Sequence, residues 1–403
     1  MPFITRVRID NYKSIAHCDV RLGRFTVLFG LNAAGKSNFL DALHFVRDAV
    51  TDGPSMAVAE RGGVEAVLRR VPVLAASFTI GLEFYMPMAG EEMEPHEGRY
   101  EITIAPQADS DTRRSGGAGV RIDHEVCEIR PLSAAGQAGV QRFSLHDRGG
   151  KTRQQPRLGL AQRAGDEPFT SLYESLTAMF FYDPSVSVLR HASSAFGKLY
   201  EDGGSLGPAL AALGNRERDR VSQYLGAIVP GVVEVGPTDP SADYVAARIS
   251  IATESQAEPH VFRAESMSEG TIRAIGLLTA LFQPDARSGW IPLVAVEEPE
   301  LALHPLAAGA LYDALTEASE HVQVLATTQS AELFDRKEAN LSAIRVVVTE
   351  HGQTVIGEVD PVSRSIVADG LATTAELLRS NQLRPVVDRP GPTLFPDQPE
   401  GEE

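Results

Sequence analysis

The 403-residue sequence contains two cysteines and five lysines. Cys18 and Cys127 are too few for a disulfide framework and lack the spacing of a metal site, so both are expected as ordinary core or surface thiols. No apolar run approaches the ~18 residues of a membrane span, and no basic and apolar leader is read before the first predicted strand. A soluble, cytoplasmic chain with no membrane partner is the expectation. The formal charge of −17 excludes a uniformly basic coat for nucleic acid. Arginine far outnumbers lysine and is unevenly spread, which leaves room for a local basic groove. What the chain does have is 43% hydrophobic residues, ample for a core in two or three domains.

The scarce lysines fall at 13, 36, 151, 198 and 337, and Lys36 closes a complete G-x-x-x-x-G-K-S: Gly30, Leu31, Asn32, Ala33, Ala34, Gly35, Lys36, Ser37. The apolar run 25–29 before it reads as a buried parallel strand, and after it Asn38 opens a helix with Phe39, Leu40, Ala42, Leu43 and Phe45 on one face. Strand, glycine loop and helix in that order offer a concave ring of N–H donors and the positive end of a helix to a triphosphate. Lys36 is placed to reach the β- and γ-phosphates and the Ser37 hydroxyl to ligate Mg²⁺.

Around this stretch the texture changes several times. Residues 4–9 and 15–22 alternate as a hairpin about Asn11-Tyr12-Lys13-Ser14, and 51–74 reads as irregular. Short alternating stretches between about 76 and 147 read as an antiparallel meander beside the core. Residues 108–118 and 148–166 are polar, glycine-rich loops. From about 167 the period becomes helical without sustained heptads, which argues against a long coiled coil. Strands return after Pro230. A hairpin turning at His351-Gly352 and a helix near 371–380 follow, and the proline-rich, acidic end reads as disordered.

A second informative block spans 266–330. The buried-strand run 291–296 ends in Glu297-Glu298-Pro299-Glu300, and carboxylates at the carboxyl end of a parallel strand sit where ligands bind in open α/β sheets. Glu297 is read as holding the Mg²⁺ shell and Glu298 as polarising the attacking water; the competing reading is a generic acidic turn. Ser268 and Gly270, before an apolar helix, are either a plain N-cap or an anion site whose ligand is ATP held by a second subunit.

Taken together, the loop at 30–37, MSEGT at 267–271, EEPE at 297–300, ALHP at 302–305 and TTQS at 327–330 resemble the ABC-type ATPases of the RecF, SMC and OLD group. The opening IDNYKSI at 9–15 is similar to that group's usual start, and the nearest likeness is to bacterial "predicted ATPase" members of the AAA family with a short insertion. The likeness covers about 1–50 and 262–360. It implies an α/β P-loop NTPase of ABC-ATPase type: a mixed central sheet, an antiparallel β-lobe and an inserted helical lobe. The domains expected are 1–75 and 262–383 as the two halves of the ATPase head, 76–150 as the β-lobe, 151–261 as a mostly helical insertion and 384–403 as a disordered tail.

The same resemblance implies ATP and Mg²⁺ as cofactors and a head-to-head homodimer with two ATPs between phosphate loop and opposing signature. Asn32, Lys36 and Ser37 contact ATP and Mg²⁺, with Lys13 near the nucleotide; Ser268 and Gly270 complete the partner's site; Glu298 is the catalytic carboxylate; and Leu303-His304-Pro305 communicates across the interface. This sequence departs from the group at Glu297, where aspartate is usual, at Glu269, where glycine is common, and at Gln329, where the switch usually carries histidine. An amide orients water but accepts no proton, so slow turnover is expected. The functional expectation is a switch in DNA repair or anti-phage defence. The alternative is a non-catalytic scaffold or sensor that controls an effector such as a nuclease. DNA is a further candidate partner through arginines such as Arg113-Arg114 or those of 216–220, although these read more readily as a solvated mixed-charge helix face.

Overall fold

The computed structural model describes residues 1–87, 94–107, 119–133, 139–146, 157–194, 197–239, 242–252, 258–335 and 340–386. Alternating side chains fold the start of the chain into a hairpin of β1 (Ile4–Tyr12) and β2 (Ile15–Arg21), turning where Asn11 and Lys13 take positive φ. β3 (Phe25–Phe29) is the strand before the phosphate loop, and α1 (Lys36–Thr51) follows it. Residues 51–74, expected to be irregular, hold the short helices Pro54–Glu60 and Val64–Val67, each entered through a glycine at positive φ.

The predicted meander is β4 (Phe78–Met86), β5 (His96–Pro106), β6 (Val120–Pro131) and β7 (Gln141–His146), all antiparallel. It does not stand apart from the first hairpin, because β1 pairs with β4 to make one six-stranded sheet in the order β2-β1-β4-β5-β6-β7. A charge row explains the register. Asp19 meets Arg6 and Arg8, these meet Glu83, Glu83 faces Arg99 across β4 and β5, and Arg99 and Arg142 both meet Glu128. Opposite charges on neighbouring strands stabilise each pairing. The apolar side of the sheet packs Val7, Ile80, Phe84 and Ile102 onto Phe39 and Phe45 of α1.

β8 (Phe180–Tyr182) follows α2 (Phe169–Thr177) and lies within the region expected to be mostly helical. It is drawn into the central sheet because its short apolar run covers the last parallel strand. α3 (Leu206–Ala212) and α4 (Asn215–Ile228) come next, with a small antiparallel sheet of β9 (Val232–Pro237), β10 (Ala247–Ile251) and β11 (His260–Arg263). The chain then returns to the core through α5 (Glu269–Phe282), β12 (Leu293–Glu297), α6 (Ala308–Ala318), β13 (Gln323–Thr328), β14 (Ile344–Glu350), β15 (Gln353–Val359), α7 (Thr374–Arg379) and β16 (Pro385–Val386).

The central sheet runs β16-β15-β14-β3-β13-β12-β8. Its last five strands are parallel and its first two antiparallel, so it is mixed. Successive residues point to opposite faces: Leu28, Leu325 and Val347 join the core with α1 and the six-stranded lobe, while Val27, Phe29, Val324 and Val346 join the core with α5 and α6. Burial on both faces is why these strands read as unbroken apolar runs. The architecture is the α/β P-loop fold that the sequence implied.

β16 also corrects the tail. Residues 385–386 pair with Glu358 and Val359, and 387–403 lie outside the described residues, as do Arg113 and Arg114. Cys18 and Cys127 are buried free thiols. Among the described residues no helix is long and apolar enough to cross a membrane, and no cluster of three or more His, Cys, Asp or Glu is set to hold a metal.

Candidate functional site

Gly30 leaves β3 with its N–H donating to the Thr328 carbonyl at 3.2 Å, and Leu31, Asn32 and Ala33 form an exposed crest. Positive φ at Ala33 (62°) and Gly35 (106°) curls the chain back into α1. Lys36 is 6% exposed and lies across its own loop, donating to the carbonyls of Gly30 at 2.8 Å and Leu31 at 3.1 Å. Burial lowers its pKa, and the carboxylates of Glu298, Glu297 and Glu300 oppose that shift. Ser37 Oγ donates to Glu297 Oε2 at 2.5 Å, which joins the loop to the acidic strand end. Asn38 and Lys13 turn elsewhere: Asn38 donates to the Ser14 hydroxyl at 2.6 Å, and Lys13 Nζ pairs with Asp41 on α1 at 2.5 Å.

The acidic residues follow β12, which pairs with β13 so that Glu297 faces Thr327. Burial raises the Glu297 pKa, and the charges of Asp183 and Glu298 push it further. Asp183 is a residue the sequence reading missed. It follows β8, whose Tyr182 lies in register with Val296, so it is a second strand-end carboxylate beside Glu297. The signal was available, since FFYDP ends an apolar run in an acid just as EEPE does. Glu298 sits at φ 42°, a left-handed conformation rare for a side-chain-bearing residue, held by its N–H donating to the Thr327 carbonyl at 2.9 Å. Gln329 Nε2 donates to Glu298 Oε2 at 3.1 Å, bringing switch and acid together. Thr328 Oγ1 donates to Glu300 and accepts from the Ser330 N–H at 2.9 Å. Burial raises the Glu300 pKa, and its Oε2 has no partner among the described residues.

At the start of α5, Ser268 accepts from the Thr271 N–H at 3.2 Å and caps the helix, while Ser268 and Glu269 remain exposed. Gly270 is buried by its own subunit: a Cβ there would come within 2.2 Å of the Ala302 carbonyl oxygen. The loop after β12 therefore packs on the start of α5. It presents Leu301 and Leu306 to solvent, 49% and 87% exposed, with His304 Nδ1 accepting from the Leu306 N–H at 3.2 Å.

Ser37, Glu297 and Asp183 are oxygen donors beside a ring of loop N–H groups. Such a set suits a hard cation that keeps part of its water shell and is shared with phosphate, as Mg²⁺ does.

The family described as "AAA domain, putative AbiEii toxin, Type IV TA system" matches residues 25–121 and 147–335. No curated protein matches the chain. Among solved structures, an SMC head bound to the C-winged helix domain of ScpA is similar over 90% of this chain and 99% of that one, at 14% identity and a TM-score of 0.53. A Smc head domain with an extended coiled coil, bound to the C-terminal domain of ScpA and derived from Pyrococcus furiosus, is similar over 92% of this chain and 100% of that one, at 11% identity and a TM-score of 0.55. At such identities the likeness is one of fold. The family match covers 25–121 and 147–335, well over half of the chain, and the chain belongs to that AAA-domain family, with a fold like that of the SMC head domains.

Proposed function

We propose that the chain binds ATP with Mg²⁺ on the 30–37 loop, hydrolyses it slowly in a head-to-head homodimer, and serves as a switch in DNA repair or anti-phage defence. The observation that carries this reading is the convergence of three segments: Ser37 bonds Glu297, Gln329 bonds Glu298, and Lys36 lies within range of the charges of Glu298, Glu297 and Glu300. When bound, Mg²⁺ neutralises charge on the β- and γ-phosphate oxygens. Lys36 leaves the loop carbonyls to reach the phosphates. Glu298 accepts a hydrogen bond from the attacking water and takes its proton, and Gln329 orients the carboxylate. The open start of α5 and the exposed Leu301 and Leu306 support an interface with a second copy.

Lys36→Ala is expected to abolish ATP binding, and Glu298→Gln to bind ATP but accumulate a dimer on size-exclusion chromatography with light scattering. Wild-type phosphate release from either variant would overturn the reading. Gln329 favours a second one: with no proton acceptor at the switch, ATP holds the assembly together while a separate effector such as a nuclease acts. Repeated rounds of phosphate release by the purified chain alone would count against it.

A further inference from the structure

A short, partly buried chain of hydrogen bonds ties the 30–37 loop to the turn of the first hairpin and to β15. Thr354 stands on β15 and is 2% exposed. Its Oγ1 donates to the Ala34 carbonyl at 2.9 Å and lies 2.7 Å from the Ser14 hydroxyl. Ser14 Oγ is also 2.6 Å from Asn38 Nδ2, and its carbonyl accepts from the Thr354 N–H at 3.1 Å. The directions are forced. A hydroxyl has one proton and Thr354 gives its own to Ala34, so Ser14 donates to Thr354 and in turn accepts from the amide of Asn38.

The chain of donors thus runs Asn38 to Ser14 to Thr354 to the Ala34 carbonyl. The Ala34–Gly35 peptide is planar and trans, so fixing its carbonyl against Thr354 turns the Gly35 N–H the opposite way. Gly35 admits this approach because it has no side chain: a Cβ there would sit 2.0 Å from Thr354 Oγ1. We propose that Thr354 and Ser14 are positioning residues that lock the Ala34–Gly35 peptide so that the loop presents its N–H, not its carbonyl, to the ATP phosphates. The proposal rests on the reading of 30–37 as the ATP site.

Thr354→Val keeps the shape and removes the hydroxyl, whereas Thr354→Ser restores it. Titration of each purified full-length variant with a fluorescent ATP analogue and Mg²⁺ is expected to show affinity weakened roughly tenfold or more for Thr354→Val, the loss of a buried hydrogen bond, and near wild-type affinity for Thr354→Ser. KM should rise more than kcat falls. Unchanged affinity in Thr354→Val, or an equal loss in Thr354→Ser, overturns the proposal. Should Thr354→Val fail to fold, Ser14→Ala breaks the same chain one link further back. Wild-type affinity in that variant overturns the proposal equally, and roughly tenfold weakening supports it. Lys36→Ala separates the two claims, since wild-type affinity there removes the ATP site itself, whereas failure of the Thr354 variants alone leaves it standing.

Discussion

Three carboxylates and a lysine share one small volume at the end of β12. Burial raises the Glu297 and Glu300 pKa values and lowers that of Lys36, so these charges are poorly solvated. An acid whose folded pKa lies above its ordinary value of 4.5 contributes stability in full below that value, and the contribution fades as pH rises through the folded pKa. At neutral pH the site is therefore poised to welcome a cation. Mg²⁺-dependent ATP binding should weaken as pH falls from neutral toward the ordinary glutamate range, because the raised pKa protonates Glu297 earlier than a free glutamate. Glu297→Gln should flatten that dependence and lower affinity, as read by calorimetric titration across the range. A profile in Glu297→Gln identical to wild type would reassign the titrating group.

At the scale of elements, the joints between segments carry the constraint. Gly270 lets the first turn of α5 rest on Ala302, so the start of that helix and the loop after β12 are packed together. Gly270→Ala places a methyl group 2.2 Å from a carbonyl oxygen, which has to force the two apart. ATP binding to the subunit's own loop should survive, within about threefold, while the ATP-dependent dimer of the Glu298→Gln background is lost, by light scattering. A dimer as abundant with Gly270→Ala as without it would show that this joint has no part in assembly.

What sequence made legible at this scale was local. β3 with its glycine loop, β12 with its acids and the hairpin about His351-Gly352 each carry their own pattern, and both turn residues of that hairpin take positive φ. What it hid was non-local. β8 is three residues long and is a strand only because Val294, Ala295 and Val296 lie beside it. The hairpin at the start belongs to the lobe's sheet because Arg6 and Arg8 meet Glu83, some 75 positions on. Ser14 and Thr354 became visible as site residues only once the fold brought them to the loop, whereas Asp183 carried a local mark at the end of its apolar run.

For the molecule as a whole, the arginines tell where nucleic acid is not directly invited. The row across the six-stranded sheet is already matched by Asp19, Glu83 and Glu128, and Arg220 is bound to Glu317. With a formal charge of −17, any contact with DNA falls to unmatched cations or to a partner. Ligand binding to the folded state alone should raise the melting temperature. At 100 times Kd the stabilisation is about 2.7 kcal/mol, a shift of several degrees in differential scanning fluorimetry. Lys36→Ala should show no shift with Mg²⁺ and ATP, and a wild-type shift there would place the nucleotide elsewhere.

β3 lies between β13 and β14 in the central sheet, and Thr354 on β15 props the loop that follows it. The loop at 30–37 is translated some 320 residues before Thr354, which holds it from β15. A polypeptide still emerging from the ribosome has the motif but not the receptacle, so ATP loading has to wait until β14 and β15 have emerged.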